Sequence, residues 1–206
     1  GETVAVIGAN GAGKSTFLKT ITGLVHSEVD DLSYNGVSIG GLSAADIVGL
    51  GIAMVPEGRR LFPSLNVEEN LLMGGYKRRQ GHWTLNRIYE LFPALVERRT
   101  VPGTALSGGE QQMTAIGRAL MTNPDLLLFD ELSLGLAPII IKDIYQTLPT
   151  IKSEGVSILL VEQDINQALL VSDRVYCFQE GRVSLTGLPN ALSREQISAA
   201  YFGSQL

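Results

Sequence analysis

The sequence predicts an α/β fold: a mainly parallel sheet flanked by helices, with a small antiparallel β element and a helical subdomain over residues 58–122. Three observations predict it. Short apolar runs suited to strands buried on both faces recur at Thr3-Val4-Ala5-Val6-Ile7, Gly51-Ile52-Ala53-Met54-Val55, 125–129 and 156–161. Helical patterns separate them, as in a sheet built from β–α–β units. A glycine-rich stretch stands between the first strand and the first helix. The 206 residues are enough for one domain with a buried core, so 1–206 is read as a single domain.

The first element is the strand at Thr3 to Ile7. It leads into Gly8-Ala9-Asn10-Gly11-Ala12-Gly13-Lys14-Ser15, which fits the phosphate-binding pattern G-x-x-x-x-G-K-[ST] at every fixed position. A helix over 15–22 follows and is stopped by Gly23. Gly8, Gly11 and Gly13 let backbone N–H groups converge on an anion at a helix N-terminus. Lys14 reaches the β- and γ-phosphates as a point charge, and the Ser15 hydroxyl is placed to ligate Mg²⁺. With Thr16 beside it, the stretch from Gly8 to Thr16 is the predicted ATP site.

Next, Leu32-Ser33-Tyr34 and Val37-Ser38-Ile39 flank Asn35-Gly36, a strong hairpin signal. The strand at 51–55 ends at Pro56 and delivers Glu57-Gly58-Arg59-Arg60. Helical patterns then run over 67–73 and 83–91, with Trp83 and Phe92 expected in the core. The basic run Lys77-Arg78-Arg79 between them is read as a solvated surface, with contact to a partner or to lipid headgroups as the alternative.

Leu106-Ser107-Gly108-Gly109-Glu110-Gln111-Gln112 precedes a helix expected over 110–121. The strand at 125–129 ends in Asp130-Glu131. Paired carboxylates at that position complement a phosphate loop, because one acid holds Mg²⁺ through water and the second orients the attacking water. Asp130 is assigned to the metal and Glu131 to the water, as general base. The strand at 156–161 leads to Glu162-Gln163-Asp164, a helix over 165–171, and final strands over 174–179 and 182–185 around Glu180-Gly181.

Composition narrows the field. A formal charge of −5 gives no general attraction to nucleic acid or anionic lipid, so an anionic ligand must be caught by local donors. The single cysteine, Cys177, excludes an internal disulfide and a cysteine metal cluster, and its apolar setting reads as core. No stretch approaches the roughly 18–20 apolar residues of a membrane span. The chain starts one turn before its first core strand, so further sequence is expected ahead of Gly1.

Leu106 to Gln112, followed by Ala115-Ile116-Gly117-Arg118-Ala119-Leu120, resembles the signature of the ATP-binding cassette (ABC) family. The order of phosphate loop, Glu57 loop, signature, Asp130-Glu131 and Gln163 loop is also similar to that family over the whole chain. Within it, Val55-Pro56-Glu57-Gly58-Arg59-Arg60-Leu61-Phe62, Ser133-Leu134-Gly135-Leu136-Ala137-Pro138 and Leu160-Val161-Glu162-Gln163 resemble the ATPase subunit of branched-chain amino acid importers, whose relatives import amides and urea.

The resemblance implies a RecA-like phosphate-loop NTPase core that hydrolyses ATP with Mg²⁺. It implies head-to-tail pairing, as a homodimer or with a sister ABC ATPase, so that Ser107, Gly108 and Gly109 act on the partner subunit's ATP. It also implies transmembrane permease subunits docked near residues 59–62, a solute-binding protein engaged indirectly, and a peripheral position on the cytoplasmic face of the cell membrane. No nucleic acid partner is expected. Glu57 is expected at the metal and Gln163 at the γ-phosphate.

Three positions depart from the wider family. Glu57 stands where Gln is more frequent and Gln163 where His is, both in keeping with the importer subgroup; Gln163 donates a hydrogen bond but carries no charge. Leu132 replaces the proline that usually follows the catalytic glutamate, and this is expected to loosen Glu131 and lower hydrolysis without abolishing it. The aromatic residue that stacks on adenine in the family would precede Gly1, so phosphate contacts are expected to dominate affinity. Two other readings stay open here: a soluble cassette ATPase of DNA repair or translation, and a poorly hydrolysing ATP-binding regulator.

Overall fold

The computed structural model describes residues 1–26, 32–77 and 79–203. In chain order the strands are β1 (Thr3–Gly8), β2 (Ser33–Tyr34), β3 (Val37–Ser38), β4 (Ile52–Val55), β5 (Leu126–Asp130), β6 (Ser157–Val161), β7 (Arg174–Gln179) and β8 (Arg182–Gly187). The helices are α1 (Lys14–Ile21), α2 (Ala44–Gly49), α3 (Val67–Gly74), α4 (Leu85–Leu91), α5 (Gly108–Leu120), α6 (Pro138–Tyr145), α7 (Leu148–Ser153), α8 (Ile165–Val171) and α9 (Arg194–Phe202). The main sheet has the order β4-β5-β6-β1-β7-β8, parallel except for β8 against β7. The hairpin β2–β3 turns through Asn35 and Gly36, both at positive φ, as a two-residue hairpin loop requires. The α/β class with a small antiparallel element is therefore as expected.

The strands alternate with period two, and that alternation builds both layers. Ala53, Val55, Leu127, Phe129, Ile158 and Leu160 point to one face, where they join Leu71, Ile88, Ile116 and Leu120 from α3, α4 and α5. Ile52, Leu128 and Val161 point to the other, against Leu18 and Ile21 of α1 and Ile47 of α2. Ala5, Ile7, Val175 and Cys177 pack on α8 and α9, so Cys177 is a core residue. Each fully buried Leu, Ile or Phe contributes about 1.5–3 kcal/mol of hydrophobic free energy. Trp83 and Phe92 are buried in the first cluster. Between β4 and β5 the described residues form helices and turns.

Capping explains where helices begin. Ser107 accepts from the Glu110 N–H while the Glu110 carboxylate accepts from the Ser107 N–H, so α5 starts at Gly108 rather than Glu110. Thr84 caps α4 by accepting from the Arg87 N–H, leaving Trp83 outside the helix. The basic run departs from its expected solvation at Arg79. The guanidinium pairs with Asp125 at 2.7 Å and donates to the carbonyls of Asn123 and Gly49, both at 3.1 Å. Its planar fork meets several acceptors at once and ties the end of α2 to the start of β5. Arg78 lies outside the described residues.

Candidate active site

The site forms at the carboxyl ends of β1, β5 and β6, three adjacent strands. Gly8 closes β1 at φ +152°, where a Cβ would stand 2.3 Å from the carbonyl oxygen of Phe178. Only glycine lets the loop leave the sheet this close to β7. The loop is then held by the Ala12 N–H to the Ala9 carbonyl at 3.1 Å and by the Gly181 N–H to the Ala12 carbonyl at 3.0 Å. Gly13, at φ +100°, opens α1 with no side-chain cap, so the first N–H groups of the helix are left for a ligand.

Asn10, Gly11, Gly13, Lys14, Ser15, Thr16 and Glu131 line one concavity. Lys14 is 4% exposed, and its ammonium donates to the Gly8 carbonyl at 2.7 Å and the Ala9 carbonyl at 3.0 Å. Burial pushes its pKa down, while Glu131 and Asp130 oppose that shift. A cation held in this way, under an arch of backbone donors, matches an anion.

The acidic half lies beside it. Ser15 donates its hydroxyl to Asp130 Oδ1 at 2.9 Å. Asp130 is 5% exposed, and burial raises its carboxyl pKa against the lowering effect of the Ser15 hydrogen bond. Glu131 sits in the left-handed region at φ +55°, its N–H donating to the Val161 carbonyl at 3.0 Å. Gln163 Nε2 donates to Glu131 Oε1 at 2.6 Å. Leu132 is packed in the core at 2% exposure. Its expected effect on Glu131 takes another form: Glu131 is tied at backbone and side chain, and a proline at 132 would disfavour the helical-type backbone that Glu131 adopts.

Among the described residues no cluster of three or more His, Cys, Asp or Glu could enclose a metal. Magnesium asks for less, since it takes one or two protein oxygens and fills its octahedron with phosphate and water. The converging Ser15 hydroxyl and Asp130 carboxylate fit that requirement. Glu57 is exposed in the loop after β4, one strand beyond Asp130, and among the described residues it makes no hydrogen bond with this pair.

The signature occupies separate ground. A Cβ on Gly108 would face Arg59 and Leu136, and one on Gly109 would meet Ile140 at 2.8 Å. Arg59, at φ +65°, donates from Nε to Gln112 Oε1 at 3.2 Å, while Arg118 donates to the carbonyls of Arg60 and Arg59 at 2.8 and 3.0 Å. These bonds link the Glu57 loop to α5. The structure thus gathers Lys14, Ser15, Thr16 and Glu131 around the concavity, with Asp130 bonded to Ser15 and Gln163 bonded to Glu131, and Ser107, Gly108 and Gly109 are not among the residues that line it.

Sequence reasoning missed Glu162, Ser133 and Tyr145. Glu162 is 1% exposed and accepts from Ser133 and Tyr145. Burial and that carboxylate push the Tyr145 phenol upward. An acid directly after a buried apolar strand was the available signal.

The family follows from the sequence comparisons. The model described as "ABC transporter" matches residues 1–133, and the chain belongs to that family of ATP-hydrolysing cassettes. It is 47% identical over 206 residues to the high-affinity branched-chain amino acid transport ATP-binding protein BraG of Pseudomonas aeruginosa, across 98% of this chain and 88% of that one. It is 35% identical over 191 residues to the probable branched-chain amino acid transport ATP-binding protein LivF of Archaeoglobus fulgidus, across 91% and 81%. Among solved structures, a nucleotide-free cassette from an ABC transporter superposes with TM-score 0.80 at 26% identity, covering 97% of this chain and 83% of that one. A dimeric bacterial ABC transporter cassette gives TM-score 0.80 at 25% identity, covering 93% and 87%. No helix among the described residues is long and apolar enough to cross a membrane.

Proposed function

We propose that this chain is the ATP-hydrolysing subunit of an importer for branched-chain amino acids or for related amides or urea. One observation carries the chemistry: Ser15 of α1 bonded to Asp130, and Gln163 bonded to Glu131, at the ends of the neighbouring strands β5 and β6 beside the phosphate loop. The solute class rests on the similarity to the two branched-chain amino acid relatives.

In this reading the phosphates enter the arch from Gly8 to Thr16, and Lys14 turns from the Gly8 and Ala9 carbonyls to the β- and γ-phosphates. Mg²⁺, when bound, neutralises charge on the phosphate oxygens. Ser15 and Asp130 would hold it, and Glu57, on the loop after β4, would supply a further oxygen. Glu131 accepts the proton of the attacking water. Gln163 fixes Glu131 Oε1 and donates towards the γ-phosphate. Adenine contributes less than the phosphates to affinity.

Ser107, Gly108 and Gly109 lie outside their own subunit's concavity, which supports head-to-tail pairing, with each signature closing over the partner subunit's ATP. Pairing is with a second copy or a sister ATPase. Opening and closing of the pair drives permease subunits that dock near residues 59–62 at the cytoplasmic face of the membrane. The solute-binding protein acts through the permease.

Isolation of the full-length protein from native membranes in mild detergent tests this reading. Co-purifying multi-span membrane proteins are the expected result. Recovery only from the soluble fraction, alone or with nucleic acid or ribosomes, would reject transport and leave the ATP site standing.

A further inference from the structure

Glu162 is buried at the end of β6 and accepts hydrogen bonds from four donors. The Ser133 N–H and the Tyr145 hydroxyl donate to Oε1 at 2.9 and 2.7 Å. The Ser133 hydroxyl and the Gln163 N–H donate to Oε2 at 2.9 and 3.2 Å. Its own N–H donates to the Val6 carbonyl at 3.2 Å. Among the described residues no Lys, Arg or His forms an ion pair with it. Burying a carboxylate without a counter-ion is costly unless donors saturate it, and here they do.

What those donors belong to gives Glu162 its meaning. Ser133 is two residues after Glu131, and Gln163 is the residue whose amide holds Glu131. A closed circuit results: Glu131 to Gln163 by hydrogen bond, Gln163 to the Glu162 carboxylate, the carboxylate to Ser133, and Ser133 back along the chain to Glu131. Within this circuit Glu131 keeps a left-handed backbone that a non-glycine residue adopts only when its surroundings impose it. Tyr145 anchors the circuit to α6.

We infer that Glu162 is a positioning residue for hydrolysis, setting the Gln163–Glu131 pair in register with the loop at Ser133. The inference rests on the roles of Glu131 and Gln163 proposed above. Glu162 is buried and is not among the residues that line the phosphate-loop concavity, so it acts on the rate and not on binding.

Glu162→Gln tests it with nearly unchanged volume. The amide oxygen still accepts from the Ser133 N–H and Tyr145, and the Ser133 hydroxyl rotates to accept. The new NH₂ faces the Gln163 N–H, donor to donor, so the defect falls on Gln163. The expected result is a kcat lower by about tenfold, the scale of one charge-assisted hydrogen bond. ATP Kd stays as in wild type, while Tm falls by about 3 °C because the Gln163 N–H is left without an acceptor. Tyr145→Phe, which removes one donor of four, lowers kcat about threefold in the same direction.

On a Gln163→Ala background, Glu162→Gln adds less than about twofold, because both changes release the same carboxylate. An unchanged kcat, an equal fall in ATP affinity, or effects that multiply in the double variant would each overturn the inference. Glu131→Gln measured alongside separates the two levels. If that variant hydrolyses ATP at the wild-type rate, the proposed role of Glu131 fails, and the positioning role fails with it.

Discussion

Asp130 shows how a single residue trades stability for chemistry. Its pKa is raised in the folded chain by burial, so the folded state favours the protonated acid. The stabilising contribution is therefore complete below the ordinary carboxylate range, is lost as pH rises through the raised value, and is absent at neutral pH. Asp130→Asn removes the cost of a buried anion and retains an acceptor for Ser15. It is expected to raise the Tm of the nucleotide-free chain at pH 7 by about 3 °C while removing hydrolysis, with the Tm gain vanishing in acid. Thermal melts at both pH values check this. Leu132 poses the complementary case. Leu132→Pro is expected to move Glu131 out of its left-handed backbone and release it from Gln163, lowering turnover a few-fold, the reverse of the effect the family resemblance implies. Loss of the packed leucine lowers stability by about 2 kcal/mol. Turnover equal to wild type, in a phosphate-release assay, would remove Leu132 from the account of rate.

At the scale of elements, Asn70 on α3 organises the Glu57-to-α3 connection. It is fully buried, accepts from the Phe62 N–H at 2.8 Å, and donates to the carbonyls of Phe62, Leu65 and Asn66 at 3.1, 3.1 and 2.9 Å. Asn70→Ala leaves the Phe62 N–H without its acceptor and removes the second donor from carbonyls that keep one backbone bond each, and is expected to cost about 2 kcal/mol in urea unfolding.

Elements with one clear signal were legible in the sequence. The buried strands read as apolar runs, and α8 and β7 have the expected ends. Helices α2, α6, α7 and α9 were not read. In α6 a proline opens the helix and Ile139, Ile140 and Ile141 follow, a β-branched run whose local preference favours strand, so tertiary packing of Ile144 and Tyr145 decides the outcome. The site divides on the same line. Lys14, Ser15, Asp130, Glu131 and Gln163 stood out because motif or family spacing marks them. Glu162, Ser133 and Tyr145 meet only because β5, β6 and α6 are brought together, and sequence spacing carries no trace of that contact. Arg79 shows the converse, a charge that looked solvated and instead ties two elements together.

For the whole molecule, the sheet order places β1 between β6 and β7, with β5 beyond β6, so the phosphate loop, Asp130-Glu131 and Gln163 emerge at one edge. The signature, carried on α5 by the helices between β4 and β5, faces elsewhere. In the proposed reading one subunit holds the groups for binding phosphate and activating water, and half of an enclosure. This division suits a machine whose two arrangements are biased by the presence of the γ-phosphate. The most direct measurement is steady-state phosphate release with ATP and Mg²⁺, comparing wild type with Glu131→Gln at matched nucleotide occupancy. The account predicts that the variant binds ATP as tightly as wild type and releases phosphate at least about a hundredfold more slowly. Equal release by the two proteins would contradict it.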